Sequence, residues 1–482
     1  MVPKIDTSTD PQVGYRPAGT LDAAAALHPY AGGFGPRHAA HLLRRAAFGG
    51  SPDDIARFAA GSMDAAVAAL LHPTAPDVPL TDFPDQTALF DPKRSRATAQ
   101  LWWLDRMLRT NRPLIEKMAL FWHGHFATSI QKVPVQYMVG QIDLFRAQGL
   151  GRFPALLGAV TRDPAMLIWL DNRYNAKAHP NENYAREVME LFALGLGSYT
   201  EDDVKEAARA LTGWTLDRSA SAAFVPARHD DGIKTILGRT GNFGADDVVA
   251  AIVSQPVHQR FIAHKLLEFF VYSDPEPELI EQTARVYALS GFDIAKIVGA
   301  ILRSNVFYSS RAYRALPKSP IELAIGTLRC LGVATVPPNL PYQLARMGQE
   351  PLNPPSVKGW DGGPTWINTS TLLARFNFVN GLVAQTAPGK NGQPAISAPN
   401  ADPDVLVGRV GMDPVKVAAA LVSGVVQDDV TSDVRATLIA YLQNATPSAT
   451  VQSPLPFGPE NYQEKIRGAL ALTLNLPVNQ LA

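Results

Sequence analysis

The 482-residue chain has a single cysteine, Cys330. No intrachain disulfide can form, so cysteine usage says little about compartment. Cys330 lies in "SPIELAIGTLRCLGV", an apolar helical pattern in which a small core filler is expected. Excess charge of one sign is also missing, since 44 Lys and Arg meet 44 Asp and Glu. Without a basic excess, neither nucleic acid nor an anionic membrane is an expected partner. No stretch approaches the ~18 apolar residues of a spanning helix, so no transmembrane segment is expected. The N-terminal "MVPKIDTSTDPQVGYRPAGT" is polar and has no apolar signal core. That fits either a cytoplasmic protein or a chain that begins after a removed leader. Familiar catalytic signatures are lacking too: no strand-linked Gly-x-Gly-x-x-Gly, no phosphate-cradling Gly-x-x-x-x-Gly-Lys-Ser/Thr, no His-Glu-x-x-His and no Gly-x-Ser-x-Gly.

What is present is material for a large core, with 46% hydrophobic and 18% charged residues. Helix signals dominate. "SPDDIARFAAG" places Ser51 as N-cap, Pro52 in the first turn and two acids at the positive helix end. "TEDDVKEAARALTG" repeats the device from Thr200 to Gly213. Roughly fifteen or more helices follow from such signals. Beta signal is confined to a hairpin around "FVPARHDDGIKTILG", with "HDDG" as its turn. The expected fold is mainly α, a large multi-helix, bundle-like domain with one short β-hairpin. The expected division is an N-terminal extension (1–35), a main helical domain (36–385), a Gly-, Pro- and Asn-rich linker (386–404) and a C-terminal helical subdomain (405–482) packed on the main domain.

Four segments carry candidate chemistry. In "HPNENYAREVMELFALGLG", a helical wheel puts Asn183, Arg186, Glu187 and Glu190 in one arc of about 100°. Tyr184, Val188, Leu191 and Phe192 fall on the other side. The charged arc turns apolar at Ala193 and Leu194, which suits a cleft lining better than a solvated face. Glu187 and Glu190 are neighbours at i and i+3. Both are expected to be substantially buried and at least one to have a raised pKa, with Arg186 or a nearby histidine as partner, and Glu190, nearer the Leu194 end, is the favoured one. "FWHGHFATS" offers Trp122, His123 and His125 at a helix C-terminus. They either face the negative dipole end or present two imidazoles to one point. "ARHDDGIKT" supplies His229, Asp230 and Lys234, a turn or a compact acid–base set. "VKGWDGGPTWINTSTLLAR" brackets a Gly-rich loop with Trp360 and Trp366, followed by Asn368. It reads either as a loop pinned to the core or as flat faces for sugar rings.

Taken in order, "HLLRRAAFGGSPDDI", "LFWHGHFATS", "LDNRYNAKAHPNENYAREVMELFALGLGSYTEDDVKEAARALTGW", "HDDGIKTILG", "KSPIELAIGTLRCLG" and "PPSVKGWDGGPTWINTSTLLAR" resemble the bacterial family called domain of unknown function 1800. The likeness covers about His41 to Arg375. It implies a helical, often exported bacterial protein, which favours a periplasmic or secreted location, and it supplies no catalytic mechanism.

The residues themselves point to a hydrolase or lyase with a helical cleft, acting on a carbohydrate or another polyhydroxylated small molecule. Glu187, Glu190, His123, His125, His229 and Asp230 are the expected acid–base groups. Trp122, Asn183, Tyr184, Arg186, Lys234, Trp360, Trp366 and Asn368 are the expected substrate contacts. Because the two glutamates share a helix face, one should be the acid, with Asp230 or an imidazole opposite. The alternatives are a metal enzyme with His and Glu ligands and a non-catalytic envelope scaffold or binding protein. No cofactor or oligomeric state is implied.

Overall fold

A computed structural model of the protein describes residues 25–77, 95–383, 401–408, 410–444 and 457–482. Most of the expected extension (1–24) and linker (386–400) lies outside the described residues. Within them the chain forms 21 α-helices and two short antiparallel strand pairs, so the fold is mainly α. None of these helices is long and apolar enough to cross a membrane.

The local signals act as expected. Ser51 Oγ accepts from Asp54 N at 3.1 Å to start the Pro52–Ala59 helix. Thr200 Oγ1 accepts from Asp203 N at 3.1 Å and opens Glu201–Ala210, with the Asp203 carboxylate returning to Thr200 N. Each exchange satisfies backbone donors that the first turn leaves free.

The expected "HDDG" hairpin is replaced by two others. Trp214–Leu216 pairs with Ala222–Phe224, and Lys234–Ile236 pairs with Arg239–Gly241. The second turn is Leu237–Gly238, both at positive φ (50° and 81°). Such a two-residue turn matches strand twist, whereas "HDDG" lies in the connection between the two pairs.

One continuous apolar core runs from Leu42 through Trp103, Trp122, Phe153 and Leu266 to Ile325, Val422 and Leu470. The helices Pro414–Val426, Ser432–Gln443 and Tyr462–Leu474 pack on one another, and the last of these also packs on Thr369–Val383. They therefore add to the same core. Helix Glu201–Ala210 packs between Asn183–Glu190 and the Lys234–Ile236 strand. Two of the four candidate segments thus lie on either side of one helix.

Candidate functional site

The glutamate helix is shorter than its sequence pattern suggests. It spans Asn183–Glu190, after which the chain unwinds. Leu194 N and Gly195 N both donate to Met189 O, at 2.9 and 3.1 Å, and Gly195 sits at φ 86°. Buried Ala193 and Leu194 therefore belong to the terminating turn, and the expected arc from charged to apolar is not a helix face. The buried side holds Tyr184, Ala185, Val188 and Met189. Tyr184 shares a 2.8 Å hydrogen bond with Thr161 Oγ1 inside the core, which removes it from the expected substrate contacts. Asn183 is exposed at the helix start.

The charges on the outer side are divided differently than expected. Arg186 turns away from the two glutamates of its own arc. It makes two 2.7 Å hydrogen bonds to Glu201 and one of 3.3 Å to Glu182. Glu190 accepts from Tyr199 Oη at 2.6 Å, so its partner is a phenol rather than Arg186 or a histidine. Both glutamates are half-buried, less than the substantial burial expected. Burial, and then the neighbouring Glu190 charge, push the Glu187 carboxyl above its ordinary value, with Arg186 opposing. The Glu187 carboxylate has no hydrogen-bond partner among the described residues. Tyr199, in "GSYT", was not singled out by the sequence, because its phenol reaches Glu190 only through the turn between the two helices.

His123 and His125 end the Pro113–His125 helix and do different things. His123 is fully buried, edge-on to Trp103 and Trp360 at centroid distances of 5.3 and 5.5 Å. Neither ring nitrogen has a hydrogen-bond partner among the described residues, and burial pushes the pKa down to about 3. The setting depends on two glycines: Gly359, at φ 83°, lies so close to Gly124 that an added Cβ would stand 2.1 Å from the Gly124 carbonyl oxygen. His125 places Nε2 2.8 Å from Phe192 O, among Phe121, Trp122, Phe126 and Phe192, and is likewise pushed down to about 3. It ties its helix to the turn after Glu190 as a neutral link, and so weak a base does not suit the expected acid–base role. Trp122 is fully buried with Nε1 donating to Gly149 O at 2.8 Å, a core residue rather than a substrate platform.

The "HDDG" set closes on itself. His229 is buried with Nδ1 3.0 Å from Thr212 O. Asp230 takes Arg209 in two-pronged fashion at 2.8 and 3.1 Å, which holds its carboxyl down at about 2. Lys234 is buried and spends its three ammonium donors on the carbonyls of Asp230 and Gly232 and, at 3.4 Å, on Asn242 Oδ1. A lysine held this way stabilises a loop and leaves no donor free for substrate. Arg209, the organiser of this set, lies in a run of helix-face charges that gave no signal of its own.

The tryptophan loop is largely pinned. Trp366 is buried, and Trp360 is half-buried against His123. Asn368 acts as a helix cap, its Oδ1 accepting from Ser370 N and Thr371 N at 3.0 Å each. The structure thus joins Glu187 to Glu190, His123 to Trp360, and His229 to Asp230 and Lys234. No hydrogen bond or ion pair joins the glutamates to His123, His229 or Asp230 among the described residues. Nor do three or more His, Cys, Asp or Glu side chains there form a group able to hold a metal ion, so the ligand set required by the metal reading is not assembled.

These features define a mainly α protein in which two half-buried glutamates, Glu187 and Glu190, share one short helix. The chain belongs to the DUF1800 family, described as a protein of unknown function, whose model matches residues 41–481. No curated protein and no solved structure matches it.

Proposed function

We propose that the protein is an acid–base enzyme, a hydrolase or lyase of a carbohydrate or another polyhydroxylated substrate, working through Glu187 and Glu190. The observation that carries this reading is the state of Glu187: half-buried, raised in pKa, beside a second carboxylate and not paired by the adjacent Arg186. A carboxyl in that state holds a proton closer to neutral pH and can deliver it to a leaving oxygen. Glu190, fixed by Tyr199, would keep the neighbouring negative charge in place. Glu187→Gln preserves shape and hydrogen bonding and removes the ionisable proton. Against a panel of polysaccharides and 4-nitrophenyl glycosides, it is expected to lower turnover by about 100-fold or more at unchanged thermal stability. Equal turnover in variant and parent, or no turnover by the parent on any member of the panel, would reject the reading.

A non-catalytic binding or scaffold role is the second reading. It is favoured by the His229–Asp230–Lys234 set, whose polar groups are spent on holding a loop.

A further inference from the structure

A second polar centre lies where the N-terminal helix Pro36–Ala46, the helix Pro320–Cys330 and the C-terminal helices meet. There a cavity of about 40 Å³ is lined by Arg44, Lys318, Glu322, Thr327, Gln427 and Asn479, among others. One water needs roughly 10–15 Å³, so the space takes about three, or one compact polyatomic ion.

The cations around it are short of anions. Arg44 is only 7% exposed. Its Nη1 donates to Gln427 Oε1 at 2.6 Å, and its guanidinium lies 5.2 Å from the centre of the Tyr313 ring. Its Nε and Nη2 are buried with no acceptor in hydrogen-bond geometry among the described residues, although the Tyr313 hydroxyl lies near enough to favour its charge. Lys318 Nζ donates to an amide oxygen, Asn479 Oδ1, at 3.1 Å. Behind these two, buried Arg45 bonds the carbonyls of Val271 and Ala312, and buried Arg375 bonds Lys318 O and Gln480 Oε1. The two carboxylates in reach are already engaged. Asp429 receives Arg314 at 2.7 Å, Tyr313 Oη at 2.5 Å, and Arg37. Glu322 receives Lys117 and, at 2.7 Å, Ser319 N. Unpaired charge in a low-dielectric interior is costly, and the costs add when like charges share a site. Burial accordingly pushes Arg45 down to about 9 and Arg44 and Arg375 to about 10, and holds Lys318 well below an ordinary lysine.

We propose that this cavity binds a tetrahedral oxyanion of the phosphate class, held by the Nε–Nη2 edge of the Arg44 guanidinium and the Lys318 ammonium, with Thr327, Gln427 and Asn479 as neutral neighbours. A guanidinium edge with two donors that lack a well-placed acceptor matches two oxygens of such an ion, and the added negative charge offsets the local excess of cations. The ion is either free or the end group of a larger ligand. The site is separate from the glutamate pair, and its occupancy would tie the first described helix to the last ones.

The test is calorimetric titration of the full chain with inorganic phosphate and with methyl phosphate, at an ionic strength held constant with chloride. Saturable one-site binding is expected, weakened at least 10-fold in Arg44→Gln and in Lys318→Met, each checked for wild-type circular dichroism. Equal binding of methyl phosphate supports an end group, and binding of inorganic phosphate alone supports a free ion. Absence of saturable heat above the chloride control overturns the proposal, as does undiminished binding in either folded variant. Should Arg44→Gln fail to fold, Lys318→Met and the wild-type titration decide the question.

Discussion

Asp163 offers a direct measure of how strongly this interior disfavours charge. It caps the Pro164–Trp169 helix from a buried position, its Oδ2 accepting from Met166 N at 3.0 Å and from Gln141 Nε2 at 2.8 Å. Those donors favour the carboxylate, but burial outweighs them and lifts the pKa from 3.8 to about 7. Between these two values the folded protein holds a proton that the unfolded chain has released. Stability from this group is therefore greatest at acid pH and declines as pH rises through 7. Between pH 5 and pH 8 the linkage integral comes to roughly 2–3 kcal/mol. Asp163→Asn keeps an acceptor for Met166 N and Gln141 and has no proton to lose. Relative to the parent, the variant should gain about 2–3 kcal/mol on going from pH 5 to pH 8, read from urea unfolding of both proteins at both pH values. Taking the difference between the two proteins cancels every other titrating group. A stability difference that does not change between the two pH values would refute the reasoning, because Asp163 would then be ionised in the fold throughout.

Three imidazoles, two of them buried and that of His125 half-buried, carry the opposite sign. His123 and His125 are held down at about 3 and His258 at about 4, so unfolding below pH 6.5 takes up protons that the fold refuses. Each should cost about 2 kcal/mol of stability at pH 5 relative to pH 7, and their ring proton resonances should not move between pH 5 and pH 8. Titration of any of the three in that range would contradict the neutral state. Asp230→Ala breaks a pair that is partly open to water and should destabilise by only roughly 1 kcal/mol near neutral pH. Because Arg209 depresses this carboxyl, the loss should fade as pH falls through about 2. A large fall in turnover at unchanged stability would instead return Asp230 to the catalytic set.

The sequence by itself determined the class of fold, because helix capping and apolar spacing are local. Ser51 and Thr200 cap where their own patterns put them, and the Pro113–His125 helix ends within "FWHGHFATS", as its pattern places a helix C-terminus there. It also located the glutamate pair, since i and i+3 neighbours follow from helix geometry alone. What tertiary structure decided is where each polar side chain finds its partner. Arg186 could reach Glu187, Glu190, Glu182 or Glu201 on sequence grounds, and only the packing of the next helix selects Glu201. Lys234 looked available until strand pairing turned its ammonium onto two carbonyls. Arg44 in "HLLRR" and the lysine in "KSPIE" lie more than 270 residues apart, so no local pattern could show that they share a cavity. Helix formation depends on neighbours a few residues away, whereas burial and charge pairing depend on which distant surfaces come together, and those set the protonation state of every candidate group.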